Sequence, residues 1–339
     1  MNKSYNTSIG IDISKKTLDI AIISECKKKH NKVTNDMKGY KLILKEITEL
    51  DLSKDISVII EATGGYHYGI VYYLLDNNFS NVKVINPSIA KAFIQMNDIR
   101  STKTDKVDAI MLAKLGQIKN LPSYTQTKED VERKNIVTTL IGLRKSLREQ
   151  TQRKNNFEYQ EELGINCKEI LKTYKSVIRS LQVEIKKLEK RICNLSEEDV
   201  KIISSIKGIS QKGAAVISSQ LGDISRLKNS KQVIGFSGLS PRVKSSGTSV
   251  KGQGRISKRG DAVLRESLFQ SAWYICMQAG KGLADKVFQD FIDRLKKKNL
   301  HYFQIMCAVA HKLLGIIYSL LKKQEMYNSK FFENNLVKN

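Results

Sequence analysis

The stretch SIGIDISKKTLDIAIIS, residues 8–24, reads as an apolar strand, a polar turn around Lys15 and Lys16, and a second apolar strand, so the chain opens on a hairpin. Further on, Val58, Ile59 and Ile60 form a short buried strand ending at Glu61, and Val82, Val84 and Ile85 another ending at Asn86 and Pro87. Helical patterns lie between them, over Tyr40–Leu50 and Tyr68–Leu75. A hairpin followed by strands that alternate with helices predicts an α/β domain with a mixed sheet over residues 1–125.

The period then changes. There is no proline from Thr127 to Ser240, and Leu171, Tyr174, Ile178, Leu181, Ile185, Leu188, Ile192 and Leu195 fall at alternating steps of three and four. That seam predicts a long helix in a coiled coil over residues 126–200, either folded back on a helix around Ile136–Leu147 or paired with another chain. A lone amphipathic helix lying on a globular core would carry the same pattern. A third region, 201–339, is expected to be a mostly α domain. Near its start, Ile206-Lys-Gly-Ile-Ser-Gln-Lys-Gly-Ala214 resembles a helix-hairpin-helix turn, with Ser210 where a second glycine is usual and Lys207 and Lys212 as candidate phosphate ligands. A loop rich in Gly and Ser spans Gly235–Gly260, and helical periodicity resumes over Asp261–Gln278, where Trp273 and Tyr274 read as core, and over Phe303–Lys322.

Charge narrows the function. Lys and Arg number 58 against 34 Asp and Glu in 339 residues, a net +24. Residues 1–200 hold 34 basic and 26 acidic side chains, while 201–339 hold 24 and 8, so the excess doubles from +8 to +16 in the shorter part. Uniform codon bias toward Lys does not produce that asymmetry, and a nucleic-acid partner does. The five cysteines form no CxxC pair, which argues against a zinc site or a disulfide framework. The opening MNKSYNTSIGIDISKK lacks the apolar core of a signal peptide, and Ile305–Leu321 is interrupted by His311 and Lys312, so a cytoplasmic protein is expected.

Four acids could do chemistry. Asp12 sits inside the first apolar strand, Glu61 ends another before the Thr63-Gly64-Gly65 turn, and Asp105 and Asp108 share one face at the start of a helix. Each alone has a bland reading: an ion-pair partner, a turn acid, a helix-start charge. Together they are what a pair of hard divalent cations needs for phosphodiester chemistry. His30, His67, His301 and His311 show no ligand spacing, and His67 between Tyr66 and Tyr68 reads as packing.

The order Gly10-Ile-Asp12-Ile-Ser, Glu61-Ala-Thr-Gly64-Gly-Tyr66, Asn86-Pro87 and Lys103-Thr-Asp105-Lys-Val-Asp108-Ala resembles the amino-terminal DEDD domain of the insertion sequence 110 family of transposases, related to the Piv-type DNA invertases. Downstream, Leu221-Gly-Asp-Ile-Ser-Arg226, Gly235-Phe-Ser-Gly-Leu-Ser-Pro-Arg242, Ser245-Ser246-Gly247 and Ile256-Ser-Lys258-Arg-Gly260 resemble the family's carboxy-terminal transposase domain. The resemblance implies an RNase H-like (RuvC-like) first domain with Asp12, Glu61, Asp105 and Asp108 as magnesium-site residues. It also implies a serine nucleophile in the Ser-Gly step, placed at Ser246 with Ser245 as the neighbouring alternative, and a guide (bridge) RNA that selects double-stranded DNA sites. By composition alone Ser245-Ser246-Gly247 is a flexible turn. Arg242, Lys244, Lys251, Arg255, Lys258 and Arg259 surround it with no acid before Asp261, a cluster suited to phosphates. The expectation is a site-specific DNA recombinase working as a homodimer or homotetramer. The rivals are a Holliday-junction nuclease that uses only the acids and water, and a non-catalytic DNA-binding architectural protein.

Overall fold

A computed structural model describes residues 7–24, 28–50, 56–97, 104–195, 197–241 and 256–330. The chain divides into two compact units, Met1–Thr125 and Gln126–Asn339.

The first unit is built on strands β1 (Thr7–Ile13), β2 (Thr17–Ile23), β3 (Lys28–Thr34), β4 (Ile56–Glu61) and β5 (Val82–Ile85), in the sheet order β3-β2-β1-β4-β5. Neighbours β1, β2 and β3 run antiparallel, while β4 is parallel to both β1 and β5. The expected hairpin and mixed sheet are present. Strand β3 was not foreseen: in KKHNKVT only Val33 is buried, because an edge strand keeps most of its side chains in water and so lacks an apolar run. Helices α1 (Met37–Thr48), α2 (Tyr68–Asp76), α3 (Pro87–Asn97) and α4 (Asp105–Ile118) complete the unit.

Alternation along β1 assigns its two faces. Ile9, Ile11 and Ile13 pack with Ile43 and Ile47 of α1 and Ile70 and Leu74 of α2. The other face of the sheet, carrying Ile59 of β4, packs on Leu112 and Leu115 of α4. Ser8, Gly10 and Asp12 alternate with the isoleucines and therefore face α4. Glycine is required there: a Cβ on Gly10 would overlap the Ala109 carbonyl oxygen and the Ala113 amide, and one on Gly116 would overlap Ser8 and Ile59. The two glycines thus let α4 lie directly on the strands.

The second unit is helical in all its described elements: α5 (Lys128–Glu162), α6 (Lys168–Asn194), α7 (Glu197–Ser204), α8 (Gln211–Leu221), a 3-10 turn (Ile224–Arg226), α9 (Ser230–Ser237), α10 (Ala262–Gly280), α11 (Lys286–Lys297) and α12 (Tyr302–Lys323). Helix α5 starts at a capping box in which Thr127 and Asp130 satisfy each other's backbone amides. Helices α5 and α6 pack antiparallel within the chain, through Arg191 with Glu132, Arg144 with Glu189, and the Phe157 and Tyr174 rings 5.5 Å apart. Of the seam, Leu171, Ile185 and Ile192 are buried, Tyr174, Ile178, Leu181 and Leu188 are half-buried, and Leu195 is exposed. Val137, Leu140, Ile185 and Ile192 join one core with α7, α8, α10 and α12. Helix α12 is long and apolar enough to cross a membrane, yet it lies in that core, with Val309, Leu313, Leu314 and Ile317 fully buried.

The structure corrects one reading. Trp273 and Tyr274 are not core residues: they are 48% and 42% exposed, because the buried stripe of α10 runs through Leu264, Leu268, Ala272, Ile275 and Cys276 and leaves both rings off its edge.

Candidate active site and nucleic-acid interface

The acids gather at one end of the first unit's sheet. The parallel register pairs Ile11 with Ile60, so Asp12 and Glu61 occupy the next step on adjacent strands. On the other side the antiparallel register places Asp19 of β2 opposite Asp12. Helix α4 starts over this end. Thr104 caps it, accepting from the Val107 amide at 3.3 Å, and Asp105 and Asp108 fall in its first turn. Because Gly10 admits the Ala109 carbonyl against β1, the turn that carries Asp108 is drawn down beside Asp12.

Electrostatics register this convergence. The Asp12 carboxyl is pushed up to about 6, first by burial and then by the charges of Asp108, Asp105 and Glu61, against a lowering hydrogen bond from the Ile13 amide. Asp105 remains in water, with Lys32 Nζ at 3.5 Å from its carboxylate. Glu61 accepts from the Thr63 hydroxyl at 3.4 Å, and the turn that the sequence suggested follows, with Gly64 and Gly65 in the left-handed region at φ of +53° and +83°. Among the described residues no set of three or more acids, histidines or cysteines stands close enough to hold a metal ion. The donor set nonetheless suits a hard divalent cation: these are carboxylates only, and a cation would offset both the burial and the neighbouring charges that raise Asp12.

Sequence reasoning missed Asp19 and Lys32. Asp19 is buried, and its carboxylate takes Lys32 Nζ at 2.9 Å and His30 Nε2 at 3.1 Å. Lys32 therefore joins Asp19 to Asp105 across the site. Asp19 lies between Leu18 and Ile20 as Asp12 lies between Ile11 and Ile13, which is the signal that could have found it. Lys32 lay hidden in the unrecognised β3. His67 is buried against Tyr68, with ring centroids 4.2 Å apart, and burial holds its pKa below the usual histidine value.

In the second unit, α7 and α8 flank the turn that resembles a helix-hairpin-helix. Gly208 turns it at φ +112°, where its missing Cβ leaves room for Ile275. Ser210 takes the second glycine's place as the N-cap of α8, accepting from the Gly213 amide at 3.1 Å. Lys207 is exposed, and Lys212 reaches Glu189 at 2.6 Å. The Gly- and Ser-rich loop is fastened at its two feet. Pro241 bridges to Ile256, the Ser257 amide donates to Ser240 O at 2.7 Å, and Lys258, at φ +55°, donates from its amide to Gly238 O at 3.1 Å. Lys258 and Arg259 thus stand at one foot. Arg242, Lys244, Ser245, Ser246, Lys251 and Arg255 lie outside the described residues.

Comparison with known proteins gives two family matches in series: a DEDD transposase model of the IS110 group over residues 9–158, and the transposase IS116/IS110/IS902 family over residues 200–287. A pilin gene-inverting protein of Moraxella bovis is 30% identical over 338 residues, spanning 98% of this chain and the whole of that protein. The transposase for insertion sequence element IS1111A of Coxiella burnetii is 26% identical over 297 residues, 80% of this chain and 79% of the relative. One for element IS1328 of Yersinia enterocolitica is 24% identical over 343 residues, 91% of this chain and 95% of the relative. The same chain that sets four carboxylates around the end of a mixed sheet therefore belongs, along nearly its full length, to the IS110 family of transposases.

Proposed function

We propose that the chain is a DNA recombinase of an insertion sequence, in which Asp12, Glu61, Asp105 and Asp108 hold magnesium and Ser246 is the nucleophile. The observation that carries this is the convergence on Asp12: the next step on the neighbouring strand is Glu61, the first turn of α4 carries Asp105 and Asp108, and the charge of each of the three acts on the Asp12 carboxyl. The strand order, three antiparallel strands continued by two parallel ones, supports an RNase H-like first unit. Relatives that invert a pilin gene or move insertion elements support DNA as the substrate, and the net +24 suits it.

Bound at the acids, magnesium would lower the charge that builds on the reacting phosphate oxygens. The chain's own residues do the rest. The Ser246 hydroxyl attacks phosphorus, a serine–phosphate bond forms, and the bond to the leaving strand breaks, its oxygen taking up a proton. The link keeps the phosphodiester's energy, so a strand-end hydroxyl can reverse the step with no nucleotide cofactor. Ser246 is preferred to Ser245 because Gly247 beside it lets a phosphate approach closely. Lys258 and Arg259, at the loop's foot, and Lys207 and Lys212, at the turn, neutralise DNA phosphates, as do Arg242, Lys244, Lys251 and Arg255. A guide RNA selecting the sites and assembly as a homodimer or homotetramer belong to the same reading.

The test is incubation of the purified protein with magnesium, a DNA substrate and the element's RNA, followed by denaturing electrophoresis and peptide mapping. The expected product is a covalent protein–DNA adduct at Ser246, absent in Ser246→Ala and in Asp12→Asn while both variants still bind DNA. Free cleaved ends without an adduct would favour the hydrolytic nuclease, and a mobility shift alone the architectural protein.

A further inference from the structure

The sequence holds a single tryptophan, Trp273, and the fold turns it outward beside Tyr274. Both rings line a cleft of about 660 Å³ inside the second unit. One wall is α10, where Ser267, Gln270 and Ser271 precede the aromatic pair along the same side of the helix. The other wall is the Gly208 turn with the first turn of α8, closed at one end by Arg144 of α5. Arg144 and Lys212 both line the cleft, and among the described residues no acid does. Their positions are set from behind by Glu189, whose two oxygens they take at 2.8 and 2.6 Å, and with two cations on one carboxylate a positive charge is left over.

The cleft continues in both directions. Past Gln270 it adjoins a smaller cavity of about 70 Å³ that shares Arg144 and reaches Arg148. Past Tyr274 and Gly208 it adjoins another of about 110 Å³ that reaches Lys207. Arg148, Arg144, Lys212 and Lys207 therefore follow one another along a groove, against Glu266 at one end and Asp285 at the other, with two exposed aromatic rings in the middle. What sets these two rings apart from other exposed apolar side chains is their place: they are adjacent, line a cleft and stand beside a row of cations, which states the charge of a partner that would cover them.

We infer that this groove binds an unpaired strand of nucleic acid, its bases stacking on Trp273 and Tyr274 and its phosphates neutralised by Arg144, Lys212 and Lys207. Cations that track a backbone and aromatics that take the faces of successive bases are the two parts of a single-strand site. A duplex does not fit the second part, because its base faces are already stacked on one another. The inference rests on the proposed function only for the class of polymer, and it concerns binding, so its test needs no recombination.

The lone tryptophan makes the site directly observable. Purified full-length protein is titrated, without magnesium and at fixed salt, with a 20-nucleotide oligo(dT), an oligo(U) of equal length, and a 20-base-pair duplex, while tryptophan fluorescence and anisotropy of labelled strands are recorded. Single strands are expected to quench Trp273 strongly, and the duplex to bind with little quenching. Trp273→Ala should weaken single-strand binding about 5- to 150-fold, the range that losing one stacked base gives, and leave duplex binding within about twofold. Trp273→Phe, which keeps a ring and guards against misfolding, should restore most of the loss. Quenching by oligo(dT), by oligo(U) or by both supports the site, and the pattern identifies DNA or RNA as its source. Absence of quenching by either strand overturns it. So does an equal loss for duplex and single strand in Trp273→Ala, or a change in oligomeric mass with single-strand affinity unchanged, which would make the aromatic pair a protein–protein contact. Loss of recombination in Asp12→Asn or Ser246→Ala does not bear on these readouts, so the two readings fail separately.

Discussion

Asp12 is held in a position that works against the fold. Its carboxyl is half-buried beside three other acids and is pushed up to about 6, above the ordinary aspartate value of 3.8. A carboxyl whose folded value is raised destabilises the native state once the pH exceeds the unfolded value, and the penalty is complete above the folded one. Asp12→Asn, which removes the charge and keeps the shape, should therefore raise the melting temperature by a few degrees at pH 7.5 in the presence of a chelator, and should make no difference near pH 3. Magnesium should then raise the melting temperature of the wild type more than that of the variant. A variant less stable than the wild type at pH 7.5 would remove Asp12 from a repulsive cluster. Gly10→Ala should do the reverse: its methyl group would meet the α4 backbone, an overpacking that costs about 1–3 kcal/mol, and it should displace Asp108 from Asp12 and slow cleavage without touching an acid. The sequence disclosed the acids because carboxylates inside apolar strands stand out; it hid Asp19 and Lys32 because their meaning depends on pairing across β2 and β3.

At the scale of elements, the joint of α5, α6 and α8 is organised by one carboxylate. Burial pushes Glu189 up, but hydrogen bonds and charges from Lys212 and Arg144 outweigh it and hold the group below its ordinary 4.5. A depressed carboxylate lends stability that is fully present above the unfolded value and disappears as pH falls through the folded one. Unfolding followed by the helical signal should therefore show the second unit weakening below about pH 4.5, and Glu189→Gln should flatten that part of the profile. An unchanged profile in the variant would deny the joint its role. The long helices themselves were legible, since a seam at steps of three and four over α6 admits few other structures. What the seam packs on was not, because the same spacing serves a neighbouring chain as well as α5. Trp273 and Tyr274 were misread for a related reason: α10 is apolar around most of its circumference, so its period does not say which side the core takes.

For the whole molecule, charge and apolar surface are distributed unequally. The described apolar surface at the far end of the α5–α6 pair includes Tyr159, Leu163 and Ile165, each more than half exposed and removed from the core that Val137, Leu140 and Ile192 enter. If the protein assembles as proposed, this end is a candidate meeting surface, and Leu163→Glu with Ile165→Glu should lower the mass measured by light scattering without altering the melting temperature. An unchanged mass would place assembly elsewhere.

The margins of the five-stranded sheet have a consequence for handling and survival of the protein. Each border strand offers unsatisfied backbone groups that can recruit a stray chain, the first step of aggregation. Here β3 presents Lys28, Lys29 and Lys32 along one border. At the other, the Tyr124 amide donates to Val82 O, and the inward Lys83 is secured by Leu121 O. Lysines on one border and the covering segment on the other both work against strand addition. The two borders thus discourage unwanted pairing by different means, charge on one side and chain cover on the other.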